Sequence, residues 1–420
     1  MNNYDMVIVG GGTAGLAAAI AAKENGVDSV VILEMDAGIG GVLRQCIHPG
    51  FGLHTFGEEL TGPEYAQRLI DKADALGIEY KVNTPVLEIL PDKTVMAISA
   101  GEGVLEYHPK AVVLATGCRE RARGAIEIGG SRPAGVMTAG TAQKFVNLMG
   151  LEVGKKAVIL GSGDIGLIMA RRLTFEGAKV VCVCEIMPYS NGLQRNITQC
   201  LEDFNIPLLL SHTVTRVKGK QRVEGVYIAQ VDDETRKPIP QTERFIECDT
   251  LLLSVGLIPE AGLAAEAGAR PSHTGGVEVS QDMESTVQGF FACGNVVHVH
   301  DLVDFVELEG RRAGESAARC ILGGGMSAVC ATETRAGQGV SYIVPARIDT
   351  RAPGGDIELS LRVKRPMRGA ALAVYADGKE IKRLKRVHMA PSEMEKIKLD
   401  KDLITAKDYK IVEVRAEGAL

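Results

Sequence analysis

The chain has 420 residues, 45% of them hydrophobic, with a net charge of −6, 4% aromatics and no tryptophan. That length calls for more than one compact core, while the acidic balance and scarce aromatics argue against a nucleic-acid-binding surface. There is no apolar run of 18 residues to span a bilayer. The N-terminal apolar segment starts at Asp5 and lacks the basic start of a secretory signal, so a cytoplasmic protein is expected.

The first apolar run, Met6 to Val9, leads into Gly10-Gly11-Gly12-Thr13-Ala14-Gly15, then an Ala-rich helical stretch and a second apolar run closed by Glu34. This is the strand, glycine turn, helix and acidic strand end of a dinucleotide site. The glycines permit a tight turn and close approach to a pyrophosphate, the helix N-terminus attracts its charge, and the carboxylate accepts from a ribose diol. A helix is expected near residues 62–76, with strands at 79–82, 86–89, 95–98 and 111–114, the last closed by Ala115-Thr116-Gly117.

The pattern recurs from Ala157. There Gly161-Ser162-Gly163-Asp164-Ile165-Gly166 opens a helix, and a strand ends at Glu185. A lone glycine motif is weak in a chain with 49 glycines, but two complete units point to two nucleotide cofactors in one redox enzyme. The apolar strand 250–255, closed by Gly256, brackets this second unit, as though one domain were inserted into another. Residues 286–295 then supply a buried strand ending in Gly294-Asn295, followed by a helix near 307–320, with Gly323-Gly324-Gly325 as a break.

The expected domains are therefore residues 1–118 and 251–328 for the first nucleotide unit, 119–250 for the inserted one, and 329–420 for a C-terminal module. In that module, strands at 357–363, 371–375, 396–399 and 409–414 predict small antiparallel β structure. Its basic residues, among them Arg362, Lys382, Arg383, Lys385 and Arg386, suit a solvated face or a docking surface. The nine cysteines show neither a CxxC pair nor zinc-ligand spacing, so reduced thiols and no metal are expected.

These residues resemble the two-dinucleotide-binding flavoproteins, the pyridine nucleotide-disulfide oxidoreductases, over about residues 4–325. The resemblance implies an α/β fold of two Rossmann-like three-layer domains. FAD would lie at Gly10, Gly12, Thr13, Ala14, Gly15 and Glu34, with Gly41, Ala115, Thr116, Gly117, Gly294 and Asn295 around it. NAD(H) would lie at Gly161, Gly163, Asp164, Ile165, Gly166 and Glu185, with Gly256 at the junction. Glu185, with no basic residues directly after it, favours NAD over NADP.

Two departures stand out. Asn295 replaces the usual Asp of the flavin motif, and the redox cysteine pair is missing. In its place, Gly40 to Gly52 contains Cys46 and His48. Cys46 is a candidate redox thiol or an inert buried one, and His48 a proton carrier or a loop cap. The stretches 40–52, 115–121 and 390–395 resemble a bacterial branch that accompanies a glycerol-3-phosphate or 2-hydroxyacid dehydrogenase and a small cysteine-containing protein. More distantly they resemble subunits of hydrogen cyanide synthase and opine oxidases. The expected function is a flavoprotein subunit passing electrons between NAD(H) and such a dehydrogenase. The alternatives are a self-contained oxidoreductase of a small metabolite, or a cofactor-stabilised assembly component. A homo-oligomer fits any of these.

Overall fold

A computed structural model describes residues 4–323, 332–350, 355–404 and 408–418. The chain divides into two units, one built from residues up to Cys118 together with those from Pro259 onward, the other from Arg119–Ile258. The inserted unit thus extends past residue 250. Thr250–Leu253 pairs in parallel with Val136–Thr138 on one side and Lys156–Leu160 on the other, so it is an inner strand of that unit's sheet and not the start of the return.

In the first unit, β1 (Met6–Val9) and β2 (Val30–Leu33) pair in parallel, and the sheet continues to Ala111–Leu114 and Phe290–Ala292 on one side and Glu79–Lys81 on the other. Both faces of such a sheet are covered, which is why its inner strands read as unbroken apolar runs and are buried throughout. Helix α1 (Thr13–Glu24) follows β1 and is buried over its first ten residues. Helix α2 (Gly62–Ala75) begins with a capping box in which Thr61 and Glu64 exchange hydrogen bonds. A three-stranded antiparallel sheet, Val86–Ile89, Val95–Ser99 and Gly103–Tyr107, lies between these elements and Ala111–Leu114 in the chain.

In the inserted unit, β3 (Lys156–Leu160) and β4 (Lys179–Cys184) repeat the arrangement, with helix α3 (Asp164–Phe175) between them. Cys182 and Cys184 are both buried in β4. A four-stranded sheet, mainly antiparallel, packs beside the parallel one through Val158, Leu160, Leu251 and Leu253 against Val214, Val226 and Ile228.

The first unit resumes at Pro259, and its return helix α4 (Val303–Leu322) starts earlier than the apolar pattern suggested. Small residues let α1 and α4 touch backbone to side: a Cβ on Gly310 would lie 2.4 Å from Ala14 O, and one on Gly314 2.1 Å from Ala18 O. The C-terminal module is two β-sheets around their own core of Leu359, Leu361, Leu372, Val374, Ile397, Val412 and Val414. One pair departs from the antiparallel expectation, because Glu333–Ala336 runs parallel to Ile411–Val414. The basic stretch forms an edge strand, Lys379–Met389, and much of its charge is paired: Lys382 with Asp400, Arg383 with Glu380 and Glu417, Arg386 with Glu395. Gly324, Gly325 and Cys330 lie outside the described residues.

Candidate functional site

The two glycine turns are built alike. Gly10 (φ +104°) and Gly161 (φ +95°) adopt conformations that L side chains avoid, and a Cβ would strike Ala115 O at 2.5 Å in one case and Ser254 O at 2.0 Å in the other. The third glycine of each motif seats the helix on the strand. A Cβ on Gly15 would lie 1.9 Å from Gly10 O, and one on Gly166 2.7 Å from the Ser254 Cβ. Gly12 and Gly163, the N-cap residues of α1 and α3, have no side chain to cap with, and in α3 the Ser254 hydroxyl takes the Gly166 N–H. First-turn N–H groups left without a side-chain cap at a helix N-terminus are the natural partner of a ligand phosphate. Gly12 faces Gly41, whose Cβ would be 2.9 Å from Gly12 Cα, so the Gly41 backbone closes one side of the first turn.

The acids at the strand ends do the same work in both units. Glu34 is buried and accepts from Gly11 N at 2.8 Å and Asp36 N at 2.7 Å. Glu185, also buried, accepts from Ser162 N at 2.9 Å, Ser162 Oγ at 2.6 Å and Met187 N at 2.9 Å. Each carboxylate therefore clamps its glycine turn to the strand end before any ligand arrives, and each has further lone-pair capacity for a ribose hydroxyl.

Two expected site side chains are occupied by the protein itself. Asp164 Oδ1 accepts from Leu193 N at 2.9 Å and Asn196 Nδ2 at 2.6 Å, which ties down the 191–196 segment, and Ile165 is half-buried. Thr116 Oγ1 donates to Glu260 O at 2.8 Å. Gly117 (φ +70°) and Gly256 (φ +101°) have nothing within 4 Å of a Cβ, so they serve backbone direction and not close packing. Thr13 and Ala14 are buried at the start of α1, and Gly294 (φ +73°) packs its Cα face against the Ala14 Cβ.

Cys46 follows a 3₁₀ turn, Gly41–Gln45, and its thiol donates to Val42 O at 3.3 Å. Burial pushes that thiol up to about 12, so it is not a thiolate at neutral pH. His48 Nδ1 donates to Pro49 O at 3.0 Å, and the ring packs on Phe51 with centroids 5.0 Å apart. These contacts give His48 the loop-capping geometry. Cys293 is fully buried against α1, where burial pushes its thiol well above the ordinary range.

Composition and motif spacing missed the surroundings of Asn295. Its Nδ2 donates to Cys118 Sγ at 3.5 Å, and its Oδ1 accepts from His300 N at 3.0 Å. His298 and His300 both approach Glu309 Oε1, at 2.7 and 3.2 Å. Burial alone would raise the Glu309 carboxyl, but the two imidazoles outweigh it and hold the group well below the usual carboxylate range. The signal available in the sequence was the His-Val-His run nine residues before a helical Glu. Ser254 was missed too: its hydroxyl accepts from Gly166 N at 3.1 Å and so braces the second turn.

The pyridine nucleotide-disulphide oxidoreductase family matches residues 4–319. An opine oxidase subunit of Agrobacterium tumefaciens (strain Ach5) is 27% identical over 63% of this chain, which spans about half of that protein (54%). Thioredoxin reductase of Treponema pallidum (strain Nichols) is 26% identical over 70% of the chain and 89% of its own length. Among solved structures, thioredoxin reductase of T. acidophilum superposes with a TM-score of 0.63 at 24% identity, covering 77% of this chain and all of that one. A NAD-dependent persulfide reductase from A. fulgidus gives 0.60 at 21% identity over 89% of this chain and 68% of its own. Among the described residues no helix is long and apolar enough to cross a membrane. With two clamped glycine turns, each leading into a helix whose N-cap is glycine, and a family match over three quarters of its length, the chain belongs to the pyridine nucleotide-disulphide oxidoreductases and is an FAD-dependent, NAD(P)H-linked oxidoreductase.

Proposed function

We propose that FAD is held by Gly10, Gly12, Thr13, Ala14, Gly15, Glu34 and Gly41, with Ala115, Gly117, Gly294 and Asn295 beside it, and NAD(H) by Gly161, Gly163, Gly166 and Glu185. The observation that carries this reading is the duplicated clamp, in which a buried carboxylate fixes the second residue of each glycine turn, Gly11 or Ser162. Bound flavin supplies a two-electron acceptor that can pass electrons on singly or in pairs. The chain's own contribution is to seat each pyrophosphate on a helix N-terminus, to orient each ribose through a carboxylate, and to exclude competing reactions.

NAD is the preferred nicotinamide, because the Glu185 carboxylate suits a free 2′-hydroxyl and repels a 2′-phosphate. The best-supported reading is a self-contained oxidoreductase that passes electrons from NADH to a small acceptor. It uses no cysteine pair: Cys46 is a raised, hydrogen-bonded thiol and His48 a loop residue. A second reading is an electron-transfer subunit serving a dehydrogenase of glycerol-3-phosphate or 2-hydroxyacid type and a small cysteine-containing protein. It is favoured by two relatives that are themselves subunits of larger oxidoreductases. They are the opine oxidase subunit and hydrogen cyanide synthase subunit HcnB of Pseudomonas aeruginosa, the latter 27% identical over 63% of this chain and 60% of its own length.

Anaerobic stopped-flow mixing of the reduced holoprotein with small acceptors, and separately with a candidate dehydrogenase, tests the two. Rapid flavin reoxidation by a small acceptor with a monodisperse chain supports the first reading. Reoxidation only in the presence of a copurifying protein supports the second.

A further inference from the structure

The segment after the Gly294-Asn295 turn places His298 and His300 against Glu309 of α4. Their side chains are 0%, 3% and 12% exposed, and one ligand-type atom from each lies within 4.8 Å of the other two. Glu309 Oε1 is 2.7 Å from His298 Nε2 and 3.2 Å from His300 Nε2, and Oε2 accepts from Gly294 N at 2.9 Å.

Asn295 fixes the tautomer of His300. Its Oδ1 accepts the His300 backbone N–H at 3.0 Å and is therefore the amide's carbonyl oxygen, with no proton to give. The same oxygen lies 3.2 Å from His300 Nδ1, so Nδ1 is the donor of that pair. A neutral imidazole protonated at Nδ1 turns a lone pair on Nε2 toward the carboxylate oxygen of Glu309. The 3.2 Å contact is therefore bridged by a cation, either a second proton on Nε2 or a metal ion in its place. Arg362, the nearby guanidinium, is committed elsewhere: it pairs with Asp301 and donates to Tyr342 OH at 3.1 Å and to Pro391 O at 2.9 Å. His298 presents Nε2 to the same carboxylate oxygen, while its Nδ1 is buried with no hydrogen-bond partner among the described residues.

We propose that His298, His300 and Glu309 form a binding site for a divalent transition-metal ion, with Zn²⁺ as the reference occupant. Two imidazoles and one carboxylate are the donor set of three-ligand zinc sites that keep a fourth position open. Outer contacts are in place for two of the three ligands: His300 Nδ1–H on Asn295 Oδ1, and Glu309 Oε2 held by Gly294 N. Tetrahedral zinc with bonds of about 2.0–2.1 Å separates its ligand atoms by roughly 3.3–3.4 Å. The 3.2 Å pair is close to this, the 2.7 Å pair must open by about 0.6 Å, and the ligand nitrogens of the two histidines lie within 4.8 Å of each other. The ion would pin the 294–300 loop to α4 beside Asn295, and the site stands on these side chains independently of either nucleotide.

The test uses full-length protein equilibrated with excess Zn²⁺, desalted, and analysed by elemental mass spectrometry, with FAD content and circular dichroism measured on the same samples. The expected result is about one Zn²⁺ per chain, and at least a tenfold loss of bound metal in folded His300→Ala and Glu309→Gln variants. Native protein alone gives the second arm. In ¹⁵N-histidine NMR, Zn²⁺ should shift the Nε2 resonances of both His298 and His300. The proposal is overturned if native protein retains no zinc, if folded variants retain as much as native, or if NMR shows protons on both ring nitrogens of His300 with and without Zn²⁺. That last result would make a proton the bridging cation.

Discussion

Replacing Glu185 by Gln tests the clamp and the nicotinamide preference together. Both Glu185 oxygens face donors, Oε1 the Met187 N–H and Oε2 the Ser162 N–H and hydroxyl. An amide NH₂ must therefore confront a donor on one side. The cheaper choice puts it at Oε1, where one partly buried contact is lost in place of two buried ones. A donor left without its acceptor costs about 1–3 kcal/mol, and partial exposure of Met187 N puts this case near 1 kcal/mol. Loss of a charged acceptor for a ribose hydroxyl costs a further 1.5–3 kcal/mol in binding, or roughly ten- to a hundredfold in NADH affinity. Removing the negative charge also relieves repulsion of a 2′-phosphate, so the NADH-to-NADPH preference should narrow. Stopped-flow measurement of dissociation constants from the dependence of flavin reduction on NADH and NADPH, with thermal unfolding in parallel, gives all three numbers. Unchanged NADH affinity in a protein of unchanged stability would refute both the clamp and the assignment of Glu185 to the ribose.

Gly310→Ala drives a methyl to 2.4 Å from Ala14 O and forces α1 and α4 apart by about 1 Å; overpacking of this kind costs about 1–3 kcal/mol, which denaturant unfolding should show together with weakened FAD retention. Cys46→Ser should leave NADH-driven flavin reduction within about twofold of native, because a thiol near 12 holds only about 10⁻⁵ of its population as thiolate at pH 7. For the same reason alkylation of native Cys46 should rise about tenfold per pH unit from pH 7 to 10, and a plateau below pH 9 would contradict the raised value. Arg362→Met leaves half-buried Asp301 without its guanidinium and removes donors to Tyr342 and to Val299 O; a loss of about 1.5–3 kcal/mol is expected, read by thermal unfolding.

The parallel sheets were legible because a strand buried on both faces has to be an apolar run. Ala111–Leu114 falls where the pattern puts it. The glycine turns were legible for the same kind of reason: only glycine tolerates a Cβ position 1.9–2.5 Å from a carbonyl. The boundary at residue 250 was misplaced because Thr250–Leu253 looks like any other sheet strand; only its partners, β3 and Val136–Thr138, assign it to the inserted unit. Lys379–Met389 was hidden as a strand because its basic side chains carry no apolar alternation, and their pairing with Asp400, Glu380, Glu417 and Glu395 depends mostly on contacts between distant parts of the module. Asp164 and Thr116 have the right residue type for a ligand contact, yet loop and crossover atoms reach them first. The His298, His300 and Glu309 cluster escaped because its spacing follows no metal motif, and a turn and the first helical turns of α4 bring it together.

The central claim is that both nucleotide sites of this chain work in one electron path. Anaerobic titration of FAD-loaded protein with NADH, followed by flavin absorption, tests it most directly. Full bleaching is expected at about one NADH per FAD, with rapid single-turnover reduction and slower reduction by NADPH. Flavin that stays oxidised while calorimetry shows NADH bound would contradict it.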